Sequence, residues 1–119
     1  MPFEPRALTH ALAVNPQLFE EDLEKVKAAG FASIICNRPD FEDGPSQPTH
    51  ESLAKACEAL GLAFAYLPVG PAHQTEDEAI EMGHLLSSLP TPILAYCRSG
   101  YRCISLVSLA AQLGHPTPE

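Results

Sequence analysis

The chain has 119 residues, with 45% apolar and 18% charged residues and a net charge of −8. This size and composition are typical of one globular domain, here residues 1–119. The acidic balance argues against a nucleic-acid partner. No apolar run approaches the ~20 residues that span a bilayer, so no membrane partner is expected. The segment from Met1 to Arg6 lacks a basic stretch followed by an apolar one, which predicts a cytoplasmic protein without a signal peptide.

The predicted elements begin with a strand over Leu8–Val14. A helix follows at about Phe19–Ala29, because apolar residues recur there at helical spacing and Gly30 is a typical helix stop. The apolar run Phe31–Cys36 predicts a buried strand. Residues 37–48 are rich in turn-forming residues and are expected to form a loop.

The middle of the chain repeats this alternation. Thr49 is the expected cap of a helix that runs to about Leu60, and Leu62–Leu67 is the next predicted strand. A loop over Pro68–Gln74 follows. Thr75 then begins a capping-box pattern, which predicts a helix to about Ser88.

The last elements are a short strand, Ile93–Tyr96, a loop that begins at Cys97, and an apolar helix over Arg102–Leu113. This order of strands and helices predicts an α/β three-layer sandwich with a mainly parallel sheet of four to five strands. Sites in such folds lie at the carboxyl ends of the strands. The loops that begin at Asn37, Pro68 and Cys97 should therefore open onto one edge of the sheet.

Four cysteines occur, at positions 36, 57, 97 and 103. In a cytoplasmic protein we expect them to be free thiols. No Cys-x-x-Cys pair is present, which argues against a structural zinc site. Asp77, Glu81 and His84 would share one helix face, a pattern more typical of a solvated face than of a metal site. We expect neither a metal nor a cofactor.

The loop after the last strand carries the strongest chemical signal, Cys97-Arg98-Ser99-Gly100-Tyr101-Arg102. Unpaired N–H groups and the helix dipole at a helix start favour a negative charge, and the two arginines add positive charge. Both effects favour the Cys97 thiolate over the thiol. The same loop can bind an oxyanion, to which Arg102 offers a planar pair of donors. We predict Cys97 as nucleophile and Arg102 as anion ligand.

Further residues are predicted to bind the anion or substrate, and these are Arg38, Asp40, Arg98, Ser99, Gly100 and Tyr101. Ser99 and Gly100 suit a loop that curls tightly and turns its amides inward. Only four arginines occur in the chain, and three of them lie in these two loops. The sequence therefore predicts one local anion site in an acidic protein.

The segment Tyr96–Arg102 resembles the active loop of the cysteine-dependent phosphatase superfamily and of the rhodaneses. The segments Asn37–Glu42 and Leu67–Val69, together with Gln17 and Glu21–Leu23, resemble a bacterial family. It is known as beta-lactamase hydrolase-like protein, phosphatase-like domain, or sulfur transferase/phosphatase. The resemblance covers about residues 8 to 113. It implies a fold like that of dual-specificity phosphatases, with Cys97 as nucleophile and Arg102 as anion ligand.

Several features depart from the phosphatase pattern. Four residues separate Cys97 from Arg102, the rhodanese spacing, whereas dual-specificity and tyrosine phosphatases have five. The loop Pro68–Gln74, where those phosphatases carry the aspartic acid that protonates the leaving group, has no carboxylate. Asp40 and His73 are the candidate substitutes for that acid. Tyr101 and Cys103 replace an expected threonine and serine.

Three functions fit these observations. The main hypothesis is a sulfurtransferase in which Cys97 carries a persulfide, because the short loop suits sulfur and no general acid is needed. The alternative is a phosphatase that forms a cysteinyl-phosphate on Cys97. The third is a non-enzymatic module that binds anions or senses redox state. The expected partners are a small anionic substrate, or a sulfur donor and an acceptor thiol, with a sulfur-oxidising enzyme as a further candidate.

Cys103 is a candidate redox partner of Cys97. The resemblance implies that the residue after the arginine lies in the first helical turn and faces the nucleophile. Two interpretations stay open. Cys103 resolves an oxidised or sulfur-loaded Cys97 into a disulfide, or it fills a small buried space, as free cysteines often do.

Overall fold

A computed structural model describes residues 3–119 and contains a five-stranded sheet between two layers of helices. The strands are β1 (Arg6–Ala7), β2 (Leu12–Asn15), β3 (Ser33–Cys36), β4 (Ala63–Tyr66) and β5 (Ile93–Tyr96). The helices are a 3₁₀ turn (Glu20–Asp22), α1 (Leu23–Ala28), α2 (His50–Leu60), α3 (Glu76–Ser88) and α4 (Tyr101–Gln112). The predicted α/β sandwich with a mainly parallel sheet is confirmed.

The strand order is β1-β2-β5-β3-β4, and only β1 is antiparallel to its neighbour. The last residues of the four parallel strands are paired in register: Asn15 and Cys36 both face Tyr96, and Cys36 faces Tyr66. Their carboxyl ends therefore lie level at one edge of the sheet. The loops that follow β3, β4 and β5 meet at this edge, as the sequence predicts.

Side-chain alternation along β5 divides the core into two parts. Ile93 and Ala95, with Cys97 after them, face the layer that α3 and α4 form. Leu94 and Tyr96 face the opposite layer, where α1 and α2 pack. Because β5 is covered on both faces, its four residues are all apolar and buried, which explains the unbroken apolar run in the sequence.

The caps of α2 and α3 agree with the sequence. The Thr49 side chain accepts a hydrogen bond from the Ser52 N–H, and Gly61 ends α2 in the left-handed conformation, with φ of 76°. Thr75 and Glu78 form the reciprocal capping box that begins α3. These local signals set the bounds of both helices to within a residue or two of those predicted.

The N-terminal strand differs from the prediction of one strand over Leu8–Val14. The chain forms two short strands, because the N–H groups of Leu8 and Thr9 both donate to the Leu12 carbonyl, at 2.9 and 3.1 Å. The Thr9 hydroxyl also accepts from the Ala11 N–H, at 3.0 Å. These side-chain and backbone bonds reverse the chain between β1 and β2.

Two helices also differ from their predicted bounds. The predicted helix over Phe19–Ala29 begins as a 3₁₀ turn, in which the Asp22 carboxylate accepts from the Phe19 N–H at 2.8 Å. Helix α4 begins at Tyr101, one residue before the predicted start, because Gly100 already serves as its cap. Within residues 3–119, no helix is both long and apolar enough to cross a membrane.

Candidate active site

Cys97 directly follows β5, the strand that lies between β2 and β3 in the sheet. Only 1% of the Cys97 surface is exposed. The chain then turns through Arg98, Ser99 and Gly100 into α4. Gly100 has φ of 98°, a left-handed conformation that favours glycine. A Cβ atom there would lie 3.6 Å from Val14, an ordinary contact. The backbone conformation, rather than lack of space, therefore requires glycine at this position.

The sulfur of Cys97 accepts a hydrogen bond from the Gly100 N–H, at 3.0 Å. The pKa of Cys97 is lowered to about 5, first by the neighbouring Cys103 side chain and then by the backbone N–H groups of Cys103, Gly100 and Ser99, although burial alone would raise it. Cys97 is therefore a thiolate at neutral pH. Hydrogen-bond donors, rather than the charges of Arg98 and Arg102, are the main cause.

Arg102 is held by three hydrogen bonds that leave part of its guanidinium available. Nη1 and Nη2 donate to the two carboxylate oxygens of Glu42, at 3.0 and 2.9 Å, and Nη1 also donates to the Val69 carbonyl, at 3.0 Å. Within residues 3–119, these bonds occupy three of the five N–H donors of arginine. The pair formed by Nε and the second N–H of Nη2 remains for an oxyanion.

Glu42 joins the two buried arginines of the site. Besides Arg102, it accepts from Nε of Arg38 at 2.8 Å. Arg102 first, and then Arg38, hold the pKa of Glu42 below its usual range, although partial burial opposes this shift. Arg38 is only 4% exposed, and its Nη1 donates to the Gln17 side chain at 3.0 Å. The Gln17 N–H in turn donates to the Arg98 carbonyl at 3.2 Å. One hydrogen-bonded network therefore links all the loops around Cys97.

These loops enclose a cavity of about 390 Å³ beside the Cys97 loop. Its lining residues are Arg38, Glu42, Asp43, Pro71, Ala72, Gln74, Arg98, Ser99, Tyr101, Arg102 and Ser105. Three arginines and two carboxylates therefore line it. Tyr101 is 67% exposed and stands at the rim. The cavity brings together the predicted residues Arg38, Arg98, Ser99, Tyr101 and Arg102, with Gly100 shaping the loop beneath them.

Asp40 is engaged elsewhere, so the structure does not bring it into the anion cavity. Its carboxylate accepts from the His50 N–H at 2.8 Å and pairs with Nδ1 of His50 at 2.6 Å. The His50 ring stacks on Tyr66, with 3.7 Å between ring centres, and the Asp40 N–H donates to the Tyr66 hydroxyl at 3.0 Å. Asp40 thus stabilises the start of α2. His73, the other candidate acid, is exposed and is not among the lining residues.

Glu42 and Asp43 are the site residues that sequence reasoning missed. Glu42 ends the Asn37–Glu42 segment that carried the family resemblance and Asp43 follows it directly, but neither was given a role. A usable signal was present, since a carboxylate four residues after a buried arginine is well spaced to pair with it. The pairing with Arg102 was not visible, because it joins residues 60 positions apart.

Cys97 is buried between the end of β5 and the start of α4, and Arg102 lies in the first turn of that helix. Together with the mainly parallel α/β sheet, this arrangement is typical of the class of cysteine-dependent phosphatase-like proteins. The family described as beta-lactamase hydrolase-like protein, phosphatase-like domain, matches residues 4–114. The chain belongs to this family, as the resemblance in the sequence implies.

Curated relatives carry the same description. The beta-lactamase hydrolase-like protein of Agrobacterium fabrum is 29% identical over 106 residues, which are 89% of this chain and 24% of that protein. The protein of the same name from Xylella fastidiosa is 28% identical over 103 residues, 87% of this chain and 24% of that protein. The chain therefore spans about a quarter of the length of these relatives.

Solved structures share the fold. A candidate phosphatase from Neisseria meningitidis Z2491 is 33% identical, with a TM-score of 0.80, and the match covers 92% of this chain and 78% of that one. A candidate phosphatase from Shewanella putrefaciens CN-32 matches at 19% identity and a TM-score of 0.75, over 95% and 71% of the two chains. Kinase-associated phosphatase matches at 15% identity and a TM-score of 0.67, over 86% and 65%. The fold like that of dual-specificity phosphatases is confirmed.

Proposed function

We propose that the chain is a phosphatase that hydrolyses phosphate monoesters through a cysteinyl-phosphate on Cys97. The observation that carries the proposal is the buried Cys97 thiolate, whose loop neighbours Arg98 and Ser99 line a cavity together with Arg38 and Arg102, although Cys97 itself is not among the lining residues. The family and the solved structures with this fold favour phosphate chemistry over the sulfur transfer that ranked first from the sequence. The alternative named in the sequence analysis is thus the better supported one.

The first step is attack of the Cys97 sulfur on phosphorus, which forms an S–P bond and breaks the ester P–O bond. The remaining donors of Arg102, on Nε and Nη2, can hold two phosphoryl oxygens as negative charge builds on them. Glu42 fixes the plane of that guanidinium, since it binds the opposite edge through two hydrogen bonds. Water then attacks phosphorus, which breaks the S–P bond and releases phosphate.

The leaving oxygen needs a proton when the alcohol is a poor leaving group. The lining of the cavity contains two carboxyl groups, Glu42 and Asp43. Glu42 is held ionised by Arg102 and Arg38, so it cannot easily supply a proton. Asp43 is exposed to solvent, and its side chain has no partner in the part of the chain that the structure describes. We assign Asp43 as the proton donor, in place of the acid missing from the loop Pro68–Gln74.

The proposal is tested by measuring phosphate release from an aryl and an alkyl phosphate. The wild type should release phosphate from both, and Cys97→Ser should release none. Cys57→Ser is the matched control, because Cys57 is also a buried thiol but lies in α2, in the opposite core. Absence of phosphate release by wild-type protein with a titratable Cys97 thiolate would overturn the proposal.

Sulfur transfer is the second candidate, and one observation favours it. The loop is one residue shorter than in the phosphatases, and its Gly100 amide donates to the Cys97 sulfur itself, at 3.0 Å. A loop this short is suited to holding a persulfide on the Cys97 sulfur. Parallel assays with thiosulfate and cyanide decide between the two: thiocyanate formation without phosphate release would make the chain a sulfurtransferase.

A further inference from the structure

We propose that Gln47 is the positioning residue of the proton donor Asp43, and that its side-chain amide determines where the Asp43 carboxyl lies at the cavity. The inference rests on the proposed phosphatase reaction, in which Asp43 protonates the leaving oxygen. Gln47 is buried, with 7% of its surface exposed, and it is not among the residues that line the cavity. It therefore acts through the backbone of the loop that carries Asp43 and does not contact the substrate.

The side chain of Gln47 joins the two ends of the segment 39–43. Its Oε1 accepts a hydrogen bond from the Asp43 N–H at 2.9 Å, and its Nε2 donates to the Pro39 carbonyl at 2.8 Å. The backbone N–H of Gln47 also donates to the Gly44 carbonyl, at 3.3 Å. A buried amide whose oxygen and nitrogen are both hydrogen-bonded is held in one orientation, because any other leaves a buried polar atom unpaired. Gln47 thus fixes Asp43 relative to Pro39.

The segment between these two hydrogen bonds has a backbone conformation that needs support. Phe41 has φ of 61°, in the left-handed region that a bulky residue rarely adopts. Its side chain is 65% exposed, so packing of the ring does little to stabilise this conformation. Such a conformation persists when the surrounding structure constrains it. The bonds that Gln47 makes on each side of Phe41 supply this constraint.

Gln47 is itself held close to a regular element. Only Pro48 separates it from Thr49, the cap of α2, and the ring of Pro48 fixes one backbone angle of that connection. The Thr49 hydroxyl accepts from the Ser52 N–H at 3.2 Å. The start of α2 therefore anchors Gln47, and through Gln47 it anchors the backbone of Asp43.

The neighbouring carboxylate has anchors of its own. Glu42 is held by Arg38 and Arg102 through its two oxygens. These bonds do not involve Gln47, whereas the bond to the Asp43 N–H comes from Gln47 itself. Loss of the Gln47 amide should therefore displace Asp43 and leave the pairing between Glu42 and Arg102 in place. This selectivity separates a positioning role from a general loss of structure.

The test measures kcat and KM on an alkyl phosphate and on an aryl phosphate with a good leaving group. Gln47→Leu removes both side-chain hydrogen bonds at similar size. We expect it to lower kcat on the alkyl phosphate by roughly 10²-fold, the scale of a misplaced catalytic group. KM, and kcat on the aryl phosphate, should change little. In Asp43→Asn, the added Gln47→Leu should cause no further loss, because no acid is left to position.

Two further variants complete the test. Gln47→Glu keeps an acceptor for the Asp43 N–H and should retain more alkyl-phosphate activity than Gln47→Leu. Gln112→Leu, at the exposed last residue of α4, is the control that should match the wild type. Circular dichroism verifies that each variant is folded. An equal loss on both substrates, or a further loss in Asp43→Asn, would overturn the positioning role alone. A wild type that releases phosphate from neither substrate would overturn the phosphatase proposal as well.

Discussion

At the scale of single residues, the chemistry of Cys97 depends on hydrogen-bond donors that its own loop and helix supply. The Gly100 N–H donates to its sulfur at 3.0 Å, and the Cys103 side chain and the N–H groups of Cys103, Gly100 and Ser99 lower its pKa. Such donors stabilise the thiolate but have no corresponding effect on the thiol. The low pKa of Cys97 is therefore a property of the fold and should respond to changes at a neighbouring side chain.

We expect the rate of Cys97 alkylation to titrate with a midpoint near pH 5, because the pKa is lowered to about 5. Cys103→Ala removes the first of the donors and should raise the midpoint. Cys103→Ser keeps a donor at the same position and should raise it less. The measurement is iodoacetamide labelling at Cys97, followed by mass spectrometry across pH 4 to 9. A midpoint near 8.5 in the wild type, the value of a free thiol, would contradict this account.

Asp43 is expected to matter only when the leaving group needs a proton. Asp43→Asn should lower kcat/KM for an alkyl phosphate by roughly 10²–10⁴-fold. It should change little for an aryl phosphate whose phenol leaves easily without protonation. Asp77→Asn, an exposed acid in the first turn of α3 and outside the cavity, is the control. An equal loss of activity on both substrates would remove Asp43 from the proton-donor role.

At the scale of elements, Glu42 connects the loop 37–48 to the start of α4 through hydrogen bonds. It receives hydrogen bonds from Arg102 and from Arg38, and Arg102 also binds the Val69 carbonyl in the next loop. The three loops at this edge are thus connected through charged hydrogen bonds between residues that are distant in sequence. This explains why two arginines of an acidic protein are buried at one place.

Glu42→Gln should loosen this connection, because an amide pairs poorly with two guanidinium groups and leaves buried positive charge less compensated. We expect a loss of about 1.5–3 kcal/mol in the free energy of unfolding, the scale of hydrogen bonds to charged groups. Amide hydrogen exchange should become faster in the loop 37–48. Glu51→Gln, on the exposed first turn of α2, should leave both quantities unchanged. Unchanged amide hydrogen exchange in Glu42→Gln would argue against a stabilising connection between the loop 37–48 and α4.

The sequence predicted the positions of helices and strands better than the side-chain contacts between them. Local signals such as Thr75, Glu78 and Gly61 fixed α2 and α3, since caps act over three or four residues. The single strand predicted over residues 8–14 was wrong because the chain reverses at Thr9 and His10, where the Thr9 hydroxyl accepts a hydrogen bond from the Ala11 N–H. The loop from Cys97 to Gly100, between β5 and α4, was visible for the same local reason.

The rest of the site was not predictable from local pattern. Asp40 and Glu42 are both acids in one loop, two residues apart, and no local pattern indicates which of them turns toward Arg102. The structure decides it: Asp40 pairs with His50 at the start of α2, and Glu42 pairs with Arg102. Which of the two acids pairs with Arg102 depends on packing between elements far apart in the chain. The spacing of apolar residues along the sequence carries no information about such packing.

At the scale of the whole molecule, the active site contributes to the pH dependence of stability. The pKa of Cys97 is about 5 in the folded chain, against an ordinary value of 9.0 for a cysteine thiol. Between these values the unfolded chain binds a proton that the folded chain has released. Stability from this group is therefore fully present above about pH 9 and is lost as the pH falls through 5.

We expect the wild type to gain stability over Cys97→Ser as the pH rises from 5 to 9, since serine does not ionise in this range. The difference should grow by no more than about 1.4 kcal/mol per pH unit, the limit for one proton. Urea unfolding followed by circular dichroism measures both proteins, because the chain has no tryptophan. A difference that stays constant over this range would show that the thiolate is not stabilised by folding.

The most direct test of the central claim is to identify the group that Cys97 carries during turnover. The protein is mixed with an aryl phosphate, quenched in acid within the first turnover, and examined by intact-protein and peptide mass spectrometry. We expect the mass of one phosphoryl group on the peptide that contains Cys97, and none in Cys97→Ser. The account would be contradicted if no phosphoryl group were found while incubation with thiosulfate added one sulfur atom to Cys97.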